Sequence, residues 1–221
     1  MNYLQLCQAV RSRIGLHGTG PSTVVSPTDV EADIVDAVKD AWIDIQNFRE
    51  DWDWMKTTQS FNTAADDTDY STTDIAGPSN RVARFVKGSL WIYANSQWTK
   101  MSYLDEDTFY DMYKNESTSG IPYHYTINRN DNSVEMQTPD AIYPCEIDYI
   151  KQPQLLAANT DTPELPIQWH NLIIYLAIQK LSSSIASTST AMEYSQAYAV
   201  MMGQMMRQQL PKKTIRTRGI A

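Results

Sequence analysis

Cysteine and histidine are scarce in this chain of 221 residues, which has two cysteines and three histidines. Cys7 and Cys145 lie far apart in unlike sequence patterns, so we expect free thiols in a reducing compartment and not a disulfide framework. His17, His124 and His170 are widely separated, and no pair has the i, i+4 spacing of a helical zinc site. The sequence therefore predicts no metal site and no cofactor.

Long apolar runs and basic residues are also in short supply. The longest unbroken apolar run covers residues 172–178, whereas a membrane helix needs about 20 apolar residues. No charged segment followed by an apolar one opens the sequence, so we expect neither a secretory leader nor a membrane contact. The 18 Lys and Arg residues are outnumbered by 26 Asp and Glu residues, which gives a net charge of −8. This balance disfavours a protein that grips nucleic acid through a basic surface.

Complete catalytic motifs are missing as well. The Gly-Thr-Gly-Pro segment at 18–21 lacks the Lys-Ser/Thr pair of a phosphate-binding loop, and the acidic segment 66–69 lacks the glycine and glutamate of a calcium loop. Cys145 lies in an alternating strand pattern, which is typical of packing. Residues 105–107 are predicted to be first-turn charges of a helix. The sequence favours a protein that is not an enzyme, and a glycan or peptidoglycan hydrolase with paired carboxylates stays open as the alternative.

The pattern of apolar residues changes twice along the sequence. Residues 1–55 and 156–210 show helical periodicity, whereas residues 56–155 are rich in short strand patterns and turns. This order predicts one helical bundle interrupted by a β-rich insertion, because neither helical pair can bury its apolar face alone. The expected fold class is α+β, with an antiparallel sheet or barrel as the insertion and an extended C-terminal arm at 211–221.

Helices are predicted where apolar residues recur every three or four positions. Ser26 is the expected cap of the second helix, and a short helix follows Asp105. Trp91, Tyr93 and Trp98 are expected to pack in the core of the β-rich region. The long helices cover residues 2–14, 26–51, 166–182 and 190–209. Alternating patterns predict strands at residues 81–85, 89–93, 97–101, 123–127, 133–137 and 145–151.

The last predicted helix carries a soft apolar face. A Met-rich face is typical of bundle core, and it also suits a docking surface for a neighbouring subunit, since Met adapts to irregular partners. The two interpretations are compatible. The candidate interface residues are Tyr198, Met201, Met202, Met205 and Met206.

The end of the sequence is basic, although the rest is acidic. Residues 207–221 contain five basic residues and no acidic one, which leaves 13 basic and 26 acidic residues in 1–206. A short polar segment that follows a helix-ending proline cannot fold alone. We interpret it as an arm that orders against an acidic partner surface, with a solvated end as the alternative. The arm comprises Pro211, Lys212, Lys213, Thr214, Ile215, Arg216, Thr217, Arg218, Gly219, Ile220 and Ala221.

Several short motifs follow a Leu-rich first helix in an informative order. They are Gly-Thr-Gly-Pro-Ser-Thr at 18–23, Ile-Gln at 45–46, Asp-Trp-Asp-Trp at 51–54, Pro-Asp-Ala-Ile-Tyr at 139–143, Ile-Asp-Tyr at 147–149, Asp-Thr-Pro-Glu-Leu-Pro at 161–166 and Trp-His-Asn-Leu-Ile at 169–173. This series resembles phage head–tail adaptor, or connector, proteins, the family that includes the tail tubular protein A of short-tailed phages. The resemblance covers most of residues 1–210 and depends on the ordered set, because no single motif is specific.

The resemblance implies a structural protein of the virion neck that resides in the host cytoplasm before assembly. Such adaptors form a homo-oligomeric ring of about twelve subunits, which sits below the portal protein, extends the DNA channel and offers a platform to the tail or nozzle protein. The C-terminal arm would reach into the portal ring, and double-stranded DNA would pass without sequence-specific binding. A phage structural component outside the neck is the alternative. A tail contact is then an alternative role for Trp91, Tyr93 and Trp98.

Elementary electrostatics agrees with this expectation. An acidic channel wall repels DNA phosphates, so a duplex slides past without the counterion release that accompanies tight binding. Soft Met and Tyr faces suit the heterologous contacts that close a ring. Many weakly binding arms together give a tight attachment through avidity.

Overall fold

A computed structural model of the chain describes residues 1–18, 20–78, 81–113, 119–183 and 187–210. The chain divides into a helical unit, which holds Met1–Trp54 and the chain from Pro153 onward, and a β unit, Met55–Gln152. The helices are α1 (Tyr3–Arg13), α2 (Asp29–Asn47), α3 (Thr72–Ala76), α4 (Glu106–Tyr113), α5 (His170–Lys180) and α6 (Thr188–Gln209). The strands are β1 (Lys56–Asn62), β2 (Asp69–Tyr70), β3 (Val82–Phe85), β4 (Trp91–Ala94), β5 (Gln97–Lys100), β6 (Ser102–Tyr103), β7 (His124–Ile127), β8 (Val134–Met136) and β9 (Pro144–Lys151). The α+β class is confirmed.

The first two helices begin in different ways. Asn2 caps α1, since its Oδ1 accepts a hydrogen bond from the Gln5 N–H at 2.9 Å while Gln5 Oε1 accepts one from the Asn2 N–H at 2.9 Å. This reciprocal pair satisfies two backbone donors that the helix leaves open. The residue before α2 is Thr28, so the prediction that Ser26 caps this helix is wrong. Ser26 has a φ of +52° and belongs to the turn that precedes the helix.

Helix α5 is the centre of the helical unit, where it contacts α1, α2 and α6. It is apolar on most of its circumference, as expected for a helix with neighbours on several sides. The helical bundle built from N-terminal and C-terminal helices is therefore confirmed. The fully buried residues of α5 are Leu172, Ile173, Ile174, Ala177 and Ile178, and those of α2 are Ile34, Val38, Ala41, Trp42 and Ile45.

A loop before α5 fastens the N-terminal helices. The Tyr3 N–H donates to the Asp161 carbonyl oxygen at 2.7 Å, and the Val24 N–H donates to Asn159 Oδ1 at 2.7 Å. The Asp161 carboxylate accepts from the N–H groups of Ala158 at 2.8 Å and Ala157 at 2.7 Å. These two hydrogen bonds lower the pKa of Asp161 and hold the loop in one shape. Hydrogen bonds thus hold the start of the chain against the loop near residue 160.

The β unit contains two open sheets and its own core. One sheet has the order β1-β9-β4-β5, with β3 also paired to β9, and the other has the order β2-β8-β7-β6. In the described residues these strands form no closed barrel, so the insertion is built of open sheets, and all strand pairs are antiparallel as predicted except β6 with β7, which is parallel. The longest pairing joins β1 to β9 from Lys56 opposite Ile150 to Asn62 opposite Pro144. The largest fully buried core residues include Leu90, Ile92, Tyr125, Met136 and Ile147.

Candidate interaction surfaces

The Met-rich face of α6 is only partly accessible to a neighbouring subunit. Met202 and Met205 are 3% and 0% exposed, so they are already covered by their own chain. Tyr198, Met201 and Met206 are half-buried, and burial, with a smaller contribution from the charge of Asp44, raises the pKa of Tyr198 to about 12. A subunit interface at this face stays a prediction. Its accessible members are Tyr198, Met201 and Met206.

Next to this face, α6 exposes apolar residues that the sequence reasoning missed. Met192 and Val200 are each 64% exposed, and their spacing places them on one side of the helix. Val200 borders a shallow groove of about 410 Å³. The other lining residues are Tyr175, Glu193, Gln196, Ala197, Met201 and Gln204. The spacing of Met192 and Val200 is the sequence signal that could have revealed this surface.

The predicted arm begins where the described chain ends. Helix α6 runs to Gln209, and the Leu210 N–H donates to the Met206 carbonyl oxygen at 3.2 Å. The portal-binding arm at 211–221 lies outside the described residues. Its assignment therefore depends on its charge and on the family resemblance.

Helix α2 presents a line of aspartates to solvent. Its acidic residues recur every three or four positions on the side opposite to the buried stripe, so they share one face. At 1.5 Å per residue the line extends about 22 Å along the helix. Lys180 Nζ lies 2.6 Å from the carboxylate of the last aspartate. The exposed aspartates are Asp29, Asp33, Asp36, Asp40 and Asp44.

The β4–β5 hairpin displays aromatic side chains. Trp91, Tyr93 and Trp98 are 42%, 39% and 44% exposed, so the expectation that they pack in the core is wrong. Ile92 and Ala94 alternate with them and are buried, because successive strand residues face opposite sides. The rings of Tyr93 and Trp98, which are directly opposite each other, lie 5.4 Å apart. The hairpin forms one edge of its sheet.

A pocket of about 390 Å³ opens in the β unit. The rings of Phe109, Tyr110 and Tyr113 from α4 line it together with Glu135 of β8. Glu135 Oε1 accepts hydrogen bonds from the Tyr110 hydroxyl at 2.8 Å and from the Asn128 amide at 2.9 Å, which fixes the orientation of the carboxylate. We call this site the aromatic–carboxylate pocket. Its remaining lining residues are Thr68, Met136, Gln137 and Thr138.

The aromatic–carboxylate pocket has an acidic environment. Burial, the hydrogen bond to Glu135 and the negative charges of Glu135, Glu106 and Asp69 raise the pKa of Tyr110 to about 12. The phenol therefore stays protonated at neutral pH and acts as the donor to Glu135. Arg129 Nε lies 3.1 Å from Glu106, so the charge of Glu106 is partly neutralised.

The cysteine and histidine side chains are placed for structural roles. Cys7 and Cys145 are free and buried, and burial raises the pKa of each thiol to about 12, which suppresses the reactive thiolate. His170 is buried, with Nε2 at 2.9 Å from the Leu165 carbonyl oxygen. His124 Nδ1 lies 2.8 Å from the hydroxyl of Tyr113.

Three further observations on the described residues bear on the class of protein. Within the described ranges, no group of three or more His, Cys, Asp or Glu side chains is arranged to hold a metal ion. Among the described helices, none combines the length and the apolar character needed to span a bilayer. Of the carboxylates predicted as first-turn charges at 105–107, Glu106 and Asp107 lie in the first turn of α4 and near Arg129, at 3.1 and 3.9 Å.

The sequence matches a family of phage proteins. Residues 1–218 match the family described as SU10 adaptor protein, and the chain belongs to that family. Among curated proteins, no match was found. The resemblance to phage head–tail adaptors inferred from the ordered motifs is confirmed, and membership implies a structural role in a phage particle.

Proposed function

We propose that this protein is a ring-forming head–tail adaptor of the virion neck, which docks on the portal, extends the DNA channel and carries the tail. The observation that carries the proposal is the match to the SU10 adaptor family over residues 1–218. The helical unit with its inserted β unit agrees with the fold expected for such an adaptor. Its partners are the portal protein, the tail or nozzle protein and further copies of the chain in a ring of about twelve.

The basic arm supports attachment to the portal. Residues 211–221 carry Lys212, Lys213, Arg216 and Arg218 and no acidic residue. Each arm contributes a weak electrostatic contact, and the ring multiplies these contacts because all arms act at a high effective concentration. The attachment should weaken as the salt concentration rises.

The surface of the helical unit supports the two other roles of a ring subunit. The aspartates of α2, from Asp29 to Asp44, form a continuous acidic face that would repel the phosphates of a translocating duplex. The groove beside Val200 and the half-buried Met201 offer an apolar seam for the next subunit. A seam that pairs two different patches generates a closed ring only at a fixed rotation.

The aromatic hairpin of the β unit supports a contact to the tail. Trp and Tyr side chains dominate the energetics of protein interfaces, and the hairpin exposes Trp91, Tyr93 and Trp98. A large exposed aromatic surface is costly to leave in water unless a partner covers it.

Docking to a portal ring tests the proposal. We would mix the full chain with a portal ring of the same phage and image the product by electron cryo-microscopy. The expected product is a second ring stacked on the portal with the channel continuous. Absence of the chain from purified virions, together with no portal binding, would refute the adaptor assignment.

Two variants separate the arm from the rest of the protein. A chain that ends at Leu210 should keep its circular dichroism spectrum and melting temperature but lose portal docking. A full-length variant with Gln at Lys212, Lys213, Arg216 and Arg218 tests charge at constant length. Unchanged docking by the shortened chain would refute the arm assignment while leaving the adaptor role intact.

A further inference from the structure

The aromatic–carboxylate pocket has no role in the functions proposed above, although several contacts define its shape. Glu135 is held by the hydroxyl of Tyr110 at 2.8 Å and by the amide of Asn128 at 2.9 Å. The ring centroids of Phe109 and Tyr113 lie 5.1 Å apart, and those of Phe109 and Tyr110 lie 6.1 Å apart. The three rings form a packed aromatic wall beside an oriented carboxylate.

The backbone explains why the carboxylate faces the helix. Glu135 of β8 lies opposite Thr126 of β7, and the neighbouring residues Val134 and Met136 belong to the core of the β unit. Because strand residues alternate between faces, Glu135 lies on the face opposite to the core, where the Tyr110 hydroxyl of α4 donates to it. The pocket is thus built by the sheet register and the helix together.

The chemistry of the pocket favours a cation. Among the described residues, both hydrogen bonds to Glu135 end on Oε1, so Oε2 keeps its capacity to accept from a ligand. Asp69, which lies opposite Glu135 on β2, is exposed and adds negative charge. Aromatic faces attract cations through their quadrupole. A neutral sugar could stack on the rings and donate hydrogen bonds to Glu135, but unlike a cation it would gain no Coulomb attraction from the negative charges.

We propose that the aromatic–carboxylate pocket binds the guanidinium group of an arginine presented by a partner protein. A guanidinium is planar, so it can stack on a Tyr ring while it donates a charge-assisted hydrogen bond to Oε2 of the carboxylate. The cavity of about 390 Å³ lies within the range of small-ligand sites. The identity of the partner as a virion protein depends on the proposed function, whereas the chemistry of the pocket does not.

Matched peptide probes test the pocket on the full chain. The probes are Ac-Gly-Arg-Gly-NH2 and the same peptide with citrulline, which has nearly the same shape but no charge. Titration by heteronuclear NMR should give saturable shifts for Tyr110, Tyr113 and Glu135 with the arginine peptide and at least a tenfold weaker response with the citrulline peptide. Glu135→Gln removes the charged acceptor of the arginine hydrogen bond, so it should weaken arginine binding about tenfold.

The control variant is Asp111→Asn, which removes an exposed charge from the same helix α4. It should leave arginine binding within about twofold, because it lies outside the pocket lining. Equal losses in Glu135→Gln and Asp111→Asn would show general electrostatic attraction and overturn the proposal. Absence of arginine shifts up to about 10 mM peptide would also overturn it, as would binding of N-acetylglucosamine in preference to arginine.

The peptide titrations and the portal-docking experiment together distinguish this inference from the adaptor proposal. Arginine binding by a chain that is absent from virions would leave the pocket assignment standing and refute the adaptor role. Portal docking by a chain that ignores the arginine peptide would do the reverse. Tyr110→Phe provides a further check, since it keeps the ring and removes one donor to Glu135. It should retain arginine binding, whereas Tyr110→Leu should weaken it severalfold through loss of the aromatic face.

Discussion

The helical unit buries three of its four tryptophans, whereas both tryptophans of the β unit are exposed. Trp42 and Trp52 are 0% exposed and Trp169 is 6% exposed, but Trp91 and Trp98 are 42% and 44% exposed. In the helical unit the rings of Trp42 and Trp52 both stack with Trp54 and stabilise the fold. In the β unit Ile92 and Ala94 fill the core side of the hairpin, so its indoles face solvent. The same residue type therefore stabilises one unit and forms exposed surface on the other.

The exposed side chains of the two units differ as well. The helical unit exposes the aspartate line of α2, which offers no grip to a polyanion. The β unit exposes aromatic rings at its hairpin and an oriented carboxylate at Glu135. Under the proposed function, the first surface would let DNA pass and the second would bind a partner. Four predictions test this comparison, in order of decreasing effect on the free energy of unfolding.

Replacing a buried indole should have the largest effect. Trp42→Ala removes a fully buried ring that stacks on Trp54 with a centroid distance of 5.4 Å, and it should lower the free energy of unfolding by about 3–5 kcal/mol. Trp98→Ala in the β unit should cost less than about 1 kcal/mol, because nearly half of that side chain is exposed. Urea denaturation followed by far-ultraviolet circular dichroism measures both. Equal losses in the two variants would remove the distinction between the units.

Lowering the pH should destabilise the helical unit through His170. Burial, and then the charge of the chain's amino group, lower the pKa of His170 from its ordinary value of 6.5. The unfolded chain therefore binds a proton that the folded chain refuses, so this contribution is complete above pH 6.5 and is lost as the pH falls below it. His170→Gln should show a smaller drop in melting temperature between pH 7.5 and 5.5 than the unaltered protein. An identical drop in both proteins would contradict this assignment.

Removing the aromatic surface of the hairpin should change binding more than folding. The double variant Trp91→Ser, Trp98→Ser should alter the free energy of unfolding by about 1 kcal/mol or less and abolish pull-down of the tail protein. Val200→Ser in the helical unit is the matched control, since it removes an apolar side chain that is 64% exposed. It should weaken ring formation and leave tail binding unchanged. Tail binding that survives the double variant would eliminate the hairpin as the contact.

Neutralising the aspartate line should have the smallest effect on stability. Asp36→Asn with Asp40→Asn should stay within about 0.5 kcal/mol of the unaltered protein and should slow the passage of DNA by making the channel wall less repulsive. The measurement is the rate of DNA ejection from particles that carry the variant. Asp66→Asn with Asp111→Asn removes the same charge from the β unit and should not change the rate. Indistinguishable rates for the two pairs would place the channel wall elsewhere.

The helices were predictable because their burial repeats at the helical period. In α2 the residues Ile34, Val38 and Ile45 are fully buried, and this stripe is visible in the sequence alone. The sequence did not show which apolar residues of α6 are covered and which are exposed. Met202 and Met205 are covered while Val200 is exposed, because the position of the partner helix decides which side of an apolar face is closed.

The β unit was harder to predict, for reasons specific to its strands. The segment Lys56–Asn62 has a single aromatic residue and mixed polar ones, and it is a strand because it pairs along its length with β9. Every residue in Trp91–Ala94 is large or apolar. The sequence therefore shows no alternation of polar and apolar residues that would tell which side chains face the core. The pocket joins Tyr110 to Glu135 through the register of β7 and β8, which no local pattern encodes.

The central place of α5 has a consequence for synthesis in the host. The ribosome releases α1 and α2 first, and it must then add about 120 residues before α5 follows, which takes roughly 6–24 s at bacterial translation speeds. During this interval the apolar stripe of α2 has no permanent cover, and the β unit, whose core is its own, can close ahead of it. Nascent chains should therefore pass through a state that calls for chaperones, in which the middle of the chain is folded before the helices that precede it.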